Sequence, residues 1–222
     1  MYSLNWQTIH TVFLDMDGTL LDLNYDNQFW RHHLPKRYAQ QSGLSIEAAK
    51  AILLSRYEDM LGRLEWYSVD YWSTQLDMDV GVLIAELTHL IAVRPYVNEF
   101  LYALRQHNKR VVLLTNAHQK SISLKMQHTQ IVHHFDCIVS AHDLGLPKEA
   151  AEFWHKLQAV EPFKAAHTLF IDDSLSVLRS AAGYGIAHLL GIYQPDSQAP
   201  PTESDEFRTI HSFREIMPPL PR

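Results

Sequence analysis

Asp15 and Asp17 stand two positions apart, directly after the apolar run Val12-Phe13-Leu14 and directly before Gly18-Thr19. Side chains alternate along a strand, so both acids start on one side while Met16 points away. Like charges that close oppose each other's ionisation, and a bound cation or a shared proton has to reconcile them. Asp172-Asp173 end a second apolar run, Thr115-Asn116 end a third, and Lys148 follows Pro147 just ahead of a helical stretch. A lysine there opposes the helix dipole, and a bound anion would account for it. Singly, each group has an ordinary explanation (a helix cap, a polar strand end, a solvated lysine). Together they suit phosphoryl transfer. Asp15 would attack phosphorus in line to form an aspartyl-phosphate. Asp17 would protonate the leaving alkoxide and then activate water. A hard cation such as Mg²⁺ fits four converging acids, and with Lys148 and Thr115 it would neutralise charge on the phosphoryl oxygens. The backbone N–H groups at Thr115-Asn116 and the helix start that follows add an anion-binding corner.

These groups must be carried by elements that converge. Short apolar runs at 9–15, 110–116, 135–140, 168–173 and 186–191 read as buried strands. Helical patterns at 96–107, 119–129, 149–160 and 176–184 alternate with them. The expectation is an α/β fold, a Rossmann-like doubly wound parallel sheet. Ligands of such sheets bind beyond the strands' carboxyl ends, where every candidate above lies. Between the first and second strands the character is helical, with helices expected at 45–54 (capped by Ser45), 68–76 and 80–90. This segment reads as an insertion, so that 1–21 and 94–222 form the core domain and 22–93 a separate helical domain. The tail from Gln194 is rich in proline and acid, with one short helical pattern at 213–217.

The totals exclude several classes. With 222 residues, 46% hydrophobic and 20% charged, the chain has the make-up of a globular protein with a sizeable core. It contains no apolar run long enough to span a membrane. A formal charge of −6 argues against a surface that coats nucleic acid. Cys137 is the only cysteine and the N-terminus lacks the pattern of a signal peptide, so the expected location is the cytoplasm. A monomer is expected.

The motifs resemble those of the haloacid dehalogenase superfamily of phosphatases. Asp15-Met16-Asp17-Gly18-Thr19 matches the first motif, Thr115 the second, Lys148 the third and Asp172-Asp173 the fourth, in the family's order. The resemblance implies a helical cap of the C1 type after the first strand. It also implies Mg²⁺ held by Asp15, the Asp17 backbone carbonyl and Asp172, with Asp173 supporting. True dehalogenases lack the acid at the Asp17 position, so its presence implies phosphate chemistry. A closer likeness covers nearly the whole chain. It includes Asp26-Asn27-x-Phe29-Trp30, Asp70-Tyr71-Trp72-Ser73, Leu114-Thr115-Asn116-Ala117-His118 and Leu169-Phe170-Ile171-Asp172-Asp173-Ser174, and it is to the bacterial GMP/IMP nucleotidase branch. That implies purine nucleoside 5′-monophosphates as substrates. Phosphoglycolate, a sugar phosphate or a phosphomutase reaction are the alternatives.

Within the insertion, Tyr25, Phe29, Trp30, Tyr38, Tyr57, Trp66, Tyr67, Tyr71 and Trp72 are crowded together. They can stack a purine or form the insertion's own core. Asp26, Asn27 and Trp30 are the candidate substrate contacts there, while Arg56 and Arg63 offer positive charge to an anion. His128, His133 and His134 lack partners at metal-ligand spacing and read as surface groups. Cys137 reads as a small buried hydrophobe.

Overall fold

A computed structural model describes residues 4–201 and 204–219. Six parallel strands form one sheet in the order β3-β2-β1-β4-β5-β6. They are β1 (Thr11–Leu14), β2 (Arg110–Thr115), β3 (Cys137–Ser140), β4 (Thr168–Ile171), β5 (His188–Ile192) and β6 (Thr209–Ile210). The helices are α1 (Asn24–Gln28), which passes through a π-helical turn (Phe29–His33) into α2 (Leu34–Ser42), then α3 (Ile46–Met60), α4 (Val69–Leu76) and α5 (Val80–Ala85). After these come α6 (Val97–Gln106), α7 (Gln119–Thr129), the single turn α8 (Ala141–Leu144), α9 (Ala151–Val160) and α10 (Leu175–Tyr184). Five strands coincide with the apolar runs. The sixth has only two residues, too few to leave a periodicity.

The central strands have side chains buried on both faces, which is why they read as continuous apolar runs. Val12 and Leu14 pack with Phe100 and Leu104 of α6 and Met126 of α7. Phe13 points the other way, against the cluster of Phe153 and Trp154 of α9 and Leu178 of α10. Burying each of these strand side chains is worth roughly 1.5–3 kcal/mol, so packing on two sides holds a four-residue strand in place. At the edge, β3 leaves Cys137 only half-buried, a departure from the buried site expected of it. His128 and His133 are exposed and His134 is half-buried.

Helix limits differ from the sequence reading for local reasons. Ser45 Oγ accepts the Ala48 N–H at 3.2 Å as expected, but α3 runs on to Met60 because Ala49, Leu53 and Tyr57 continue one buried stripe. The 80–90 stretch is broken into α5 and a 3₁₀ turn at Thr88–Leu90. Between them, the Glu86 carboxylate turns back to His33 (2.7 Å) and Arg37 (3.1 Å). Tyr96 sits in the left-handed region at φ 64°, so α6 begins one residue after it.

The helical segment leaves and rejoins the sheet through one narrow stem. Leu21 bridges Val93 in antiparallel fashion, the Asp22 N–H donates to the Ala92 carbonyl at 2.9 Å, and the Arg94 N–H donates to that of Leu20 at 2.9 Å. The tail crosses this stem. The Leu23 N–H donates to the Pro195 carbonyl at 3.0 Å, and the Arg94 guanidinium donates to the carbonyls of Gln194 (2.7 Å) and Pro195 (2.8 Å). Beyond the stem, Phe29, Leu53, Tyr57, Trp72 and Leu83 form an apolar cluster of their own. Among the described residues no helix is long and apolar enough to cross a membrane.

Candidate active site

Strand register brings the floor of the site together. Leu14 pairs with Leu113 of β2 and with Ile171 of β4, so Asp15, Leu114 and Asp172 follow at one level. Neighbouring residues in register point their side chains the same way. The Asp15 N–H donates to the Ile171 carbonyl at 3.0 Å, which fixes the backbone at this point. Lys148 Nζ lies 2.5 Å from Asp15 Oδ1, 2.6 Å from Asp172 Oδ2 and 3.1 Å from the Leu114 carbonyl. The lysine is 2% exposed. Burial opposes its charge, but Asp15 and Asp172 outweigh that and raise its pKa. Burial pushes Asp15 up to about 7, with Lys148 pulling it down and Asp172 and Asp17 adding to the rise. Burial likewise raises Asp172, against the pull of Lys148. Burial also raises Asp173 well above the ordinary range, helped by the charges of Asp15 and Asp172.

This floor suits a hard cation. Carboxylate oxygens of Asp15, Asp172 and Asp173 lie within 4.8 Å of one another, an all-oxygen donor set of the kind Mg²⁺ takes. Gly18 leaves the space such a cluster needs. Its φ is +83°, and a Cβ there would stand 2.5 Å from Asp173 Oδ2.

The Lys148 loop is braced from two sides. The Lys148 N–H donates to Asn116 Oδ1 at 2.9 Å, and Asn116 Nδ2 donates to Glu149 Oε2 at 2.9 Å. The Asn116 amide is therefore committed to the loop, and what it offers an anion is backbone. Thr115 is buried at the end of β2, where its Oγ1 accepts the Ala117 N–H at 3.0 Å. From the helical segment, the Tyr67 hydroxyl donates to Glu149 Oε1 at 3.0 Å, which links that segment to the brace.

Beside the floor lies a second lysine that the sequence reading did not single out. Lys125 of α7 is 1% exposed. Its Nζ donates to Asp17 Oδ1 at 2.6 Å and to both oxygens of Asp26, at 2.7 and 2.9 Å. It also lies 4.9 Å from the centre of the Tyr25 ring. Burial opposes this charge too, and the two acids overcome it and raise its pKa. Burial, with the charge of Asp17, pushes Asp26 up to about 7. One signal was present in the sequence. Lys125 shares the apolar stripe of α7 with Ile122 and Met126, where a lysine has no business without an ion partner.

The expected contacts in the helical segment are only partly met. Asp26, Asn27 and Trp30 all line the same cavity as Asp15 and Asp17, a space of about 660 Å³. Both Asp26 oxygens are taken by Lys125, however, and Asn27 Nδ2 donates to Asp196 Oδ2 at 2.6 Å. Trp30 stacks at 6.4 Å on Trp66 and meets Tyr57 edge-on at 6.0 Å, so it is at once wall and core. Leu53 and Tyr67 complete this wall. On the helical side the positive charge lining the cavity comes from Arg31 and Lys50, opposite Lys148 on the floor. Arg56 instead donates to the Gln75 carbonyl at 3.1 Å, and neither it nor Arg63 is part of the lining. Lys50 shares a helix face with Leu53 and Tyr57, three and seven positions on, and this spacing could have marked it.

Comparison with known proteins matches this architecture. Residues 9–185 fit the haloacid dehalogenase-like hydrolase family. The chain is 37% identical over 218 residues to the GMP/IMP nucleotidase YrfG of Escherichia coli K12, covering 98% of each chain, and equally to YrfG of Shigella flexneri. Among solved structures it resembles a HAD phosphatase from Thermococcus onnurineus (TM-score 0.78, 18% identity, covering 93% and 95% of the two chains). It also resembles the magnesium-bound putative HAD-hydrolase YfnB of Bacillus subtilis (TM-score 0.66, 17% identity, 93% and 96%). Those two identities speak for the fold; the family follows from the sequence matches and from motifs that meet at one rim of the sheet. This chain belongs to the haloacid dehalogenase-like hydrolases.

Proposed function

We propose that this hydrolase is a Mg²⁺-dependent phosphatase that cleaves purine nucleoside 5′-monophosphates, GMP and IMP in the first place. The observation that carries the phosphatase reading is the shared lysine on the floor, where Lys148 holds Asp15 and Asp172 at 2.5 and 2.6 Å. A phosphoryl group entering there meets a fixed nucleophile with a cation beside it. Asp15 attacks phosphorus through its Oδ2, since Oδ1 accepts from Lys148. As the bond to the ribose oxygen breaks, Asp17 gives that oxygen its proton. Water then attacks the aspartyl-phosphate, losing a proton to Asp17, and the Asp15–phosphorus bond breaks to release phosphate. Asp15, Asp172 and the Asp17 backbone carbonyl would hold Mg²⁺, with Asp173 supporting. Bound there, the ion would offset the charge of the phosphoryl oxygens against the surrounding carboxylates. Lys148, Thr115 and the backbone at Asn116 neutralise the rest.

The purine reading rests on the aromatic wall and on the named activity of the YrfG relatives. Trp30, Tyr57, Trp66 and Tyr67 offer stacking faces to a base. Phosphoglycolate or a sugar phosphate would leave most of that wall uncovered. The narrow stem supports treating 22–93 as a cap that closes over the substrate, with 1–21 and 94–222 as the core. The lone cysteine fits a cytoplasmic enzyme, and the net negative charge fits a small-molecule substrate better than a nucleic-acid polymer. We take the protein to act as a monomer.

Phosphate release with Mg²⁺ from GMP, IMP, AMP, phosphoglycolate and sugar phosphates tests this reading. GMP and IMP should lead, and Asp15→Asn should lower turnover by at least about 10³-fold with the fold intact. Full activity in that variant would remove Asp15 as nucleophile. Equal rates across the panel would remove the purine preference and leave the phosphatase.

A further inference from the structure

We propose that Lys125, anchored by Asp26, is the positioning residue for Asp17, and that it aims the carboxyl group that exchanges protons with the leaving oxygen. The proposal deepens the phosphatase reading above and rests on it. Asp17 lies beyond the end of β1, on the turn that Gly18 allows, and its side chain is 20% exposed. Unlike Asp15, it has no neighbouring strand to fix its direction. Lys125 supplies that direction from a different element. Its donation at 2.6 Å occupies Oδ1 of Asp17, and among the described residues no group donates to Oδ2. Oδ2 is therefore the oxygen left free to face the leaving group. A carboxyl group pinned at one oxygen can present the other at a constant angle, which general acid catalysis requires.

A lysine held by Asp17 alone would make a poor support. Passing a proton on and off Asp17 would change the charge that keeps the ammonium there, and a buried ammonium cannot stand unpaired. Asp26 removes that difficulty. It takes the same ammonium through both oxygens, at 2.7 and 2.9 Å, and the Tyr25 ring covers it at 4.9 Å. The anchor does not depend on Asp17, so Lys125 stays in place through the catalytic cycle. Asp26 opens the helical segment and Lys125 belongs to the core, so the general acid is aligned only when the two are packed together.

Leaving-group dependence separates this role from a structural one. A nucleoside 5′-monophosphate leaves as an alkoxide that must be protonated, whereas p-nitrophenyl phosphate leaves as a stable phenolate that need not be. In single-turnover measurements of aspartyl-phosphate formation, the step that differs between the two esters, Lys125→Met should lower the rate with GMP or IMP about 10²-fold with KM nearly unchanged, and the rate with p-nitrophenyl phosphate by no more than about 5-fold. Asp26→Asn should show the same contrast at smaller size, and Lys125→Arg, whose guanidinium can bridge both acids, should recover much of the loss. Asp26→Asn keeps the side-chain volume and carries the test if Lys125→Met does not fold. Equal losses on both esters, or a change confined to KM, would overturn the proposal. Wild-type activity on alkyl phosphates other than purine nucleotides would overturn only the substrate reading, and the same contrast is then read on the best alkyl ester. An Asp17→Asn variant equally active on both esters would remove the acid role of Asp17, and with it that of Lys125.

Discussion

Two buried lysines, each held between two aspartates, divide the site between them. Lys148 lies on the floor, and both of its acids are placed by sheet hydrogen bonds and register. Lys125 lies at the rim, between a turn that follows β1 and the first helix of the inserted segment. The first cluster is fixed by the sheet and, in the proposed reaction, would face the phosphoryl group. The second is assembled from three pieces of chain that have to be packed on each other. The same side-chain chemistry thus serves in one place as a charge fixed by the sheet and in the other as a support that exists only while the helical segment is packed on the core.

That contrast can be broken most directly at Lys148. Lys148→Met should lower kcat at least about 10³-fold on GMP and on p-nitrophenyl phosphate alike, because the phosphoryl oxygens are common to both. A loss confined to the nucleotide would mean that the two lysines do not differ in role. Gly18→Ala tests the turn that joins the clusters. Its methyl group has to push against Asp173 and hold φ near +83°, so about 1–3 kcal/mol of stability should be lost. Mg²⁺ affinity measured by calorimetry should fall as well, and unchanged metal affinity would show that Asp173 plays no part in the cation site. A smaller effect comes from pH. Asp15 and Asp26 have folded pKa values of about 7 against an ordinary value of 3.8, so the folded state holds more protons between those limits. Stability contributed by these groups is complete at low pH and is lost as pH rises through about 7. The metal-free protein should therefore melt a few degrees lower at about pH 7.5 than at about pH 5, and Mg²⁺ should recover most of the difference. A melting temperature that rises over this range would contradict the burial assigned to these acids. The smallest effect is expected at Tyr67→Phe, which removes the hydroxyl that donates to Glu149. KM for GMP should rise less than about 3-fold, in line with a loss near 1 kcal/mol or below. A larger rise would show that the brace on Lys148 depends on the helical segment.

The floor was legible because its logic is local. Asp15, Thr115 and Asp172 each end an apolar run, and parallel pairing then carries strand ends to a common rim. The rim was not legible in the same way. Lys125 meets Asp17 and Asp26 across separations of 108 and 99 residues, and no spacing rule joins residues that far apart. Its place on the buried stripe of α7 announces a partner without saying which. Asp26 and Asn27 stand out in the sequence as candidate substrate contacts, but a sequence shows neither that Lys125 occupies both oxygens of one nor that Asp196 engages the amide of the other. The aromatic residues of the insertion carried both readings, wall and core, and Trp30 and Tyr57 fulfil both, since a thin helical layer has no depth for separate shells.

The tail that crosses the stem bears on how the molecule is made. Residues 194–197 bond to Asp22, Leu23, Asn27 and Arg94, on both arms of the stem. On the ribosome those arms emerge long before the strap that joins them, and at about 5–20 residues per second the delay lasts several seconds or more. During that interval the helical segment can collapse around its own aromatic cluster, while its attachment to the sheet is still incomplete. The joint between the two thus closes late, sealed by a stretch of chain outside both apolar clusters, and of the described elements only β6 and the Phe213–Ile216 turn are added after it.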